Sequence, residues 1–473
     1  MSTLVLNALE PVDSATPETR LERWLWAGLL TVTILCIALH LGPVLNYLYP
    51  LMTFGMAMIL EKRSPKGYVR LLILLLMFTP FIRRLSDWTS TYTDPSPMLV
   101  APLLAPFAGL RSIRPSELLR RQSLPFILAG VGIFYGLAVA LISNPPSTSM
   151  AVSFLRWINP LAWGLYLVQR NDDKVEVSRT LVQTLKWAAL VCAAYGLVQV
   201  MFTLPWDTAW LKSQLENGSL ASFGTDSSAF GFRLFATLNS CGVAAPILGI
   251  GALTWVGAKG VWRYPALAVI VFALFFTMVR TEWICLPVCI VLMLALSVGH
   301  RAAILQVLIV TAVALLVGGS LFAATRPDAM GKLVDRVAGV GQGMHDDSFS
   351  SRTEAMEEGA TMLLQMPSGA GLGFLDSPQY DSTPMSFAAG AAGGDLALVG
   401  MFFDLGFIGA MAYSAGVVLV LVSMFRHRRR DIATAAVLIS ISVSTVLHFW
   451  SNIPFVAPEA FFFWASAAAV YGL

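Results

Sequence analysis

A chain of 473 residues with 56% hydrophobic and only 12% charged side chains is far from a soluble globular composition, in which about 25% of residues are charged. A mean hydropathy of +0.71, with many apolar runs near the ~20 residues that cross a bilayer, excludes a water-soluble enzyme and indicates a polytopic membrane protein. The formal net charge of +3 says little about partners because the basic residues serve topology, and no nucleic acid is expected.

Inside lipid every backbone polar group needs an internal partner, so the spans are helices; a barrel would show short alternating strands. The expected fold is an all-α membrane helix bundle. Residues 1–23 are polar and mixed in charge, with no cleavage site after the first apolar run, and read as a cytoplasmic N-terminal tail. Apolar runs follow near 24–41, 43–60, 69–82, 98–110, 124–143, 150–168, 181–203, 233–256, 264–279, 283–299, 302–323, 396–422, 432–449 and 455–473. Those at 69–82 and 98–110 are short and proline-rich, so they are half-spans, re-entrant segments or full crossings. The expectation is about 12–14 transmembrane helices, with a bundle over 24–324, a large outward-facing helical loop over 325–395 and C-terminal membrane helices over 396–473.

The connecting loops sort by lysine and arginine. Segments 61–66, 111–121, 170–179, 259–263, 300–301 and 426–430 are basic, whereas alternate connections such as 144–149 and 205–232 are nearly free of positive charge. The positive-inside rule assigns the basic set and both termini to the cytoplasm, and the other set outward. Cys36, Cys192, Cys241, Cys285 and Cys289 all lie in or beside apolar runs without zinc-type spacing, and read as small buried hydrophobes.

Arginines on the outward side are not topology signals, so each needs another account. Arg280 follows the run 273–279 and precedes Glu282, giving a charged hairpin tip. It is either a snorkelling arginine paired with Glu282 or an anion site, since guanidinium binds phosphate oxygens bidentately. Arg233 opens the run 233–256, which reads as one span with Asn239 and Ser240 inside the helix. Arg352 lies in Ser350-Ser351-Arg352-Thr353-Glu354, a helix start with a serine cap; its first turn also favours an anion. That helix should run to about Gln365 and end at Pro367. Gly369, Gly371 and Gly373 then form a tight turn that permits close backbone approach, and they are not a dinucleotide fingerprint because no strand–turn–helix unit surrounds them. Asp395, where the polar stretch re-enters the membrane, Glu282, Glu354 and Glu357 are candidate bases, each alternatively a salt-bridge partner. His448 reads as a polar group at the interface.

Taken in order, these features resemble the O-antigen ligase and O-antigen polymerase superfamily of bacterial glycan-assembly membrane proteins, over roughly residues 180 to 470. Tyr195-Gly196-Leu197-Val198-Gln199 is similar to a family helix. Arg233 to Asn239 resembles an Arg-x-x-Gly-Thr-x-x-Asn segment, with Ala236 in place of the glycine. Thr277-x-x-Arg280 is similar to a family helix end, and Arg352 with Pro367-Ser368-Gly369-Ala370-Gly371-Leu372-Gly373 resembles the Arg…Asn-Pro-x-Gly-x-Gly-x-Gly loop. In the ligases the re-entry point reads His-[Asn/Ser/Gln], followed by nine residues and then Gly-x-x-Gly. Here Asp395-Leu396 keeps that spacing to Gly406 and Gly409 but has aspartate, which favours polymerisation over ligation.

The resemblance implies a bacterial inner-membrane enzyme with its active face in the periplasm. It would polymerise undecaprenyl-pyrophosphate-linked oligosaccharide repeat units into a surface or secreted polysaccharide, with no metal, nucleotide sugar or other cofactor. Arg280, Arg352 and Arg233 would hold the pyrophosphate, and Asp395 or Glu282 would be the catalytic base. Expected partners are the lipid-linked oligosaccharide, membrane lipid and a chain-length regulator protein. A ligase moving a finished glycan to another acceptor, and a flippase or transporter of lipid-linked glycan, stand as alternatives; a transporter would place charges at mid-depth and show inverted repeats.

Overall fold

The computed structural model describes residues 17–170, 174–202, 204–216, 233–325, 327, 330–331, 333–334, 357, 359–374, 397–427, 432–450, 455 and 458–471. The helices are α1 (Pro17–Ala38), α2 (Gly42–Arg63), α3 (Pro65–Thr89), α4 (Ala101–Leu104), α5 (Phe107–Leu110), α6 (Leu124–Ser143), α7 (Thr148–Gln169), α8 (Lys174–Phe202), α9 (Pro205–Glu216), α10 (Cys241–Val256), α11 (Arg263–Phe276), α12 (Arg280–Leu296), α13 (Arg301–Thr325), α14 (Ala397–His427), α15 (Ile432–Leu447) and α16 (Pro458–Val470). The described residues contain no strand, so the molecule is an all-α polytopic bundle. Six of the described helices are long and apolar enough to cross a membrane by length and composition: α1, α2, α6, α8, α13 and α14. The apolar helices Cys241–Val256, Arg263–Phe276 and Ile432–Leu447 are shorter and pack among them.

Ion pairs identify one end of the bundle. Glu61 binds Arg111 (3.0 Å) and faces Arg170 (3.6 Å), Lys66 binds Glu176 (2.6 Å), and Arg70 binds Glu22 (2.9 Å). Three loops read from sequence as one basic set therefore gather at one end with the start of α1. At the opposite end the α1–α2 turn meets the C-terminus of α3 through His40 and the Thr89 carbonyl (2.6 Å).

This framework decides the uncertain stretch 69–110. The run at 69–82 is the middle of the 25-residue helix α3, which starts at the basic end beside Glu22 and finishes at the other. From there, Pro97–Leu110 returns in short pieces broken at prolines to Arg111 at Glu61. The segment crosses the bundle twice.

Without a hydrophobic drive between lipid-embedded helices, close backbone approach through small residues holds them together. Helices α6 and α14 use this device. At Gly132 and Gly136 of α6 a Cβ would run into the backbone of α14 at Gly409, Tyr413 and Asp404, and at Gly416 it would meet Pro125 and Ala129. Aromatic side chains fill the adjacent core: Trp157 packs edge-on to Tyr413 (5.1 Å), and Trp464 packs against Phe126 (5.0 Å) and Phe463 (5.0 Å). All five cysteines are buried and none is in a disulfide, in keeping with their reading as small buried hydrophobes.

Candidate active site at the end away from the basic loops

Of the residues that the sequence marks, Arg233, Arg280 and the glycine turn lie at the end opposite the basic loops. Residues 233–240 are the first departure from expectation. The apolar run 233–256 is not one helix: α10 begins only at Cys241, and 233–240 is an extended segment with turns in which Ala236 adopts φ +51°. Side chains from other helices impose this shape. Gln199 of α8, fully buried, accepts from the backbone N–H of Phe235 (3.3 Å) and of Ala236 (3.1 Å). Arg84 of α3 donates to the Ala236 carbonyl (2.5 Å), and Thr237 donates to the Cys192 sulfur (3.2 Å). A Cβ on Gly196 would press on Leu234 at 2.9 Å, so glycine there admits the loop. Tyr195–Gln199 and Arg233–Asn239, separate motifs in sequence, are two halves of one contact. Ser240 caps α10 by accepting from Gly242 N–H (3.2 Å) rather than lying within a helix. Arg233 is half-buried and reaches Cys241 at the start of α10.

The Leu234 N–H donates to the Phe276 carbonyl at 2.9 Å, which fastens the loop to the end of α11. Thr277 closes that helix by donating to the Leu274 carbonyl (2.7 Å), Met278 turns through φ +55°, and half-buried Arg280 opens α12. Glu282, one of the candidate bases and the expected partner of Arg280, turns inward. It is fully enclosed and pairs with His448, itself 1% exposed, with the equally buried Glu459 of α16 next in line. Gly249 of α10 leaves the slot that Glu282 fills, since a Cβ there would overlap its carboxylate.

The glycine run is explained by packing. Residues 359–365 are helical and stop before Pro367, as the sequence suggests. Gly369, Gly371 and Gly373 all have positive φ (77°, 89° and 79°), conformations that glycine adopts without steric cost. Ala370 and Gly371 donate their N–H groups to the Phe403 carbonyl (2.9 and 3.2 Å), and Leu372 donates to Gly136 (3.3 Å). α14 receives this turn at a kink: Gly406 has φ 66° and ψ 176° inside the helix, and Phe407 N–H donates to the Pro367 carbonyl (2.9 Å). The close approach expected of these glycines is thus to the backbones of α14 at Gly369, α6 at Gly371 and α7 at Gly373, and the Gly371 N–H is occupied by α14. The Gly406-x-x-Gly409 pair has matching roles, Gly406 as the kink and Gly409 against Gly132 and Tyr135.

Three functional groups escaped the sequence reading. Arg83 and Arg84 sit at the end of α3 away from the basic loops, against the charge sorting, and are 3% and 0% exposed. Arg83 bonds Asp87 (3.2 Å) and the Thr93 carbonyl (2.7 Å), and Arg84 bonds Asp207 (2.6 Å). Asp404, buried beside the kink of α14, accepts from Trp157 Nε1 (3.1 Å). The available signal was an arginine pair at the wrong end of an apolar helix. Arg352, Glu354 and Asp395 lie outside the described residues. An apolar cavity of about 480 Å³ lies between α11 and α13, lined by Phe272, Phe275, Leu315, Gly319, Met330 and Leu333, five residues before Arg280 on the α11 side. Among the described residues no cluster of histidine, cysteine and carboxylate side chains has metal-holding form.

Residues 265–414 match the family model described as O-antigen ligase. The match supports a likeness to the O-antigen ligase and polymerase superfamily over that third of the chain. The O-antigen ligase match takes in Arg280, Glu282, the glycine turn and the Gly406 kink, and also covers Arg352 and Asp395; Arg233 and its partner helix precede it. No curated protein and no solved structure matches the chain. The match indicates glycan processing of the O-antigen ligase or polymerase type, in a multi-pass membrane protein.

Proposed function

We propose that the protein polymerises undecaprenyl-pyrophosphate-linked oligosaccharide repeat units at the periplasmic face of the bacterial inner membrane. A hydroxyl of one lipid-linked unit attacks the anomeric carbon of the growing chain. The new glycosidic bond forms as the bond to pyrophosphate breaks, undecaprenyl pyrophosphate leaves, and the hydroxyl proton passes to Asp395. Negative charge builds on the leaving pyrophosphate in the transition state, so prepositioned guanidinium groups lower the barrier; Arg280, Arg233 and Arg352 take that role. Glu282, enclosed against His448, serves to fix the first turn of α12 and leaves Asp395 as the base. The oligosaccharide donor and membrane lipid are direct partners, and a chain-length regulator protein acts beside them.

The observation that carries this reading is the Leu234–Phe276 bond, which brings the segments bearing Arg233 and Arg280 together at the end away from the basic loops. The apolar cavity between α11 and α13 suits a polyprenyl chain. Charged groups at one end, with the pairing partners described above, speak against the transporter alternative. The family description favours a second reading, transfer of a finished glycan by a ligase; aspartate at position 395 is the reason for preferring polymerisation. Arg280→Ala and Arg352→Ala should each abolish long-chain glycan while protein level and membrane insertion stay normal. Normal chain lengths in both variants would overturn the assignment.

A further inference from the structure

A fully enclosed guanidinium is costly to desolvate, and an apolar pair of the same volume is often as stable as a buried ion pair. Arg84, 0% exposed with 2%-exposed Asp207 as its counterion, therefore needs a reason beyond stability. What an apolar pair cannot supply is the second bond of Arg84, from Nη2 to the carbonyl of Ala236. Ala236 has φ +51°, a conformation that penalises any residue with a Cβ. The Ala236 N–H is meanwhile held by Gln199. Both hydrogen-bonding groups of this one residue are thus taken by buried side chains from two different helices.

The grip extends outward. The Phe235 ring of the same loop lies over the Arg84 guanidinium at 4.8 Å, with Phe81 at 5.6 Å. Asp207 accepts from Arg84 through one oxygen and from Tyr195 through the other (2.6 Å), and Tyr195 accepts from Trp206 Nε1 (2.8 Å). Three helices, α3, α8 and α9, converge on a turn three residues after Arg233. A lysine would keep the charge but lacks the planar fork that serves Asp207 and the Ala236 carbonyl together.

We propose that Arg84, with Asp207 and Gln199, is a positioning residue for Arg233: it holds the 233–240 loop in its left-handed turn at Ala236, and that turn sets where Arg233 stands. The functional half of this inference rests on Arg233 being a pyrophosphate contact. Glycine at 236 would adopt the same turn without restraint, so the need for Arg84 is a consequence of the alanine.

The test uses the full-length protein with Arg84→Lys, Arg84→Lys/Ala236→Gly and Gln199→Ala. Placement is read directly by adding Arg233→Cys and timing its reaction with a membrane-impermeant maleimide; the five native cysteines are buried. Arg84→Lys should change that rate several-fold, and Ala236→Gly in the same chain should restore it. With Arg233 intact, Arg84→Lys should lower turnover on lipid-linked repeat units by about 10- to 100-fold, the usual range for a slightly misplaced group, with recovery in the Ala236→Gly double variant. Unchanged labelling in both Arg84→Lys and Gln199→Ala overturns the proposal, as does loss of activity that Ala236→Gly does not restore. Altered and restored labelling with glycan synthesis indifferent even to Arg233→Ala supports positioning and removes Arg233 from the reaction. If Arg84→Lys does not fold, Gln199→Ala carries the same labelling test.

Discussion

The backbone N–H of Leu234 donates to the carbonyl of Phe276 at 2.9 Å. This single bond joins a loop that precedes α10 to the end of α11, and so ties Arg233 to the hairpin that carries Arg280. Neither segment runs on as a helix beyond that point: the backbones turn through positive φ at Ala236 and at Met278. The candidate site is thus built on two irregular segments held by the regular helices around them.

The glycine turn gives a stability prediction. A Cβ at Gly371 would lie 2.5 Å from the Ala140 backbone N and would also force a non-glycine residue to φ +89°. Strain and overpacking together should cost Gly371→Ala at least about 2 kcal/mol. Gly406→Ala faces the Ser368 carbonyl in the same way. Thermal unfolding in detergent checks both; midpoints equal to wild type would show that the turn does not dock as described.

The ion pair beneath the loop separates stability from positioning. Asp207→Ala leaves Arg84 charged and enclosed, which should destabilise the protein by about 3–5 kcal/mol. Replacing both, as Arg84→Met/Asp207→Leu, should recover most of that loss because an apolar pair fills the space without a charge to desolvate. Chemical unfolding of the two variants measures the difference, and an equally unstable double variant would contradict it.

Orientation is tested by single cysteines at exposed positions. Ser116 lies in a connection at the end where Glu61 gathers its arginines, and Pro146 lies in the turn near the glycine clamp. Pro146→Cys should react with an impermeant maleimide in intact cells, and Ser116→Cys only after permeabilisation. The reverse pattern would place the arginine cluster in the cytoplasm and end the periplasmic reading.

Much of the bundle was legible because apolar runs and basic loops obey simple rules of length and charge. Local pattern misleads where side chains from distant helices override it. Residues 234–238 are as apolar as a span, yet Gln199 and Arg84 take their backbone groups and stop a helix from forming. α3 was read too short because Arg83 and Arg84 look like the end of a membrane segment; their partners, Asp87 and Asp207, lie as much as 123 residues away. The glycines of 369–373 were visible as a turn, but periodicity says nothing of the Phe403 and Gly136 carbonyls that receive it. Glu282 was legible as an acid beside Arg280, while its enclosure depends on Gly249 and His448 arriving from α10 and the end of α15.

The most direct measurement of the central claim is the pool of lipid-linked glycan in a strain lacking this protein, resolved by gel beside the surface glycan. Polymerisation predicts that single repeat units accumulate on the lipid carrier and that long chains disappear. Long polymer still made, together with an undecorated acceptor, would contradict polymerisation and assign the chain to ligation.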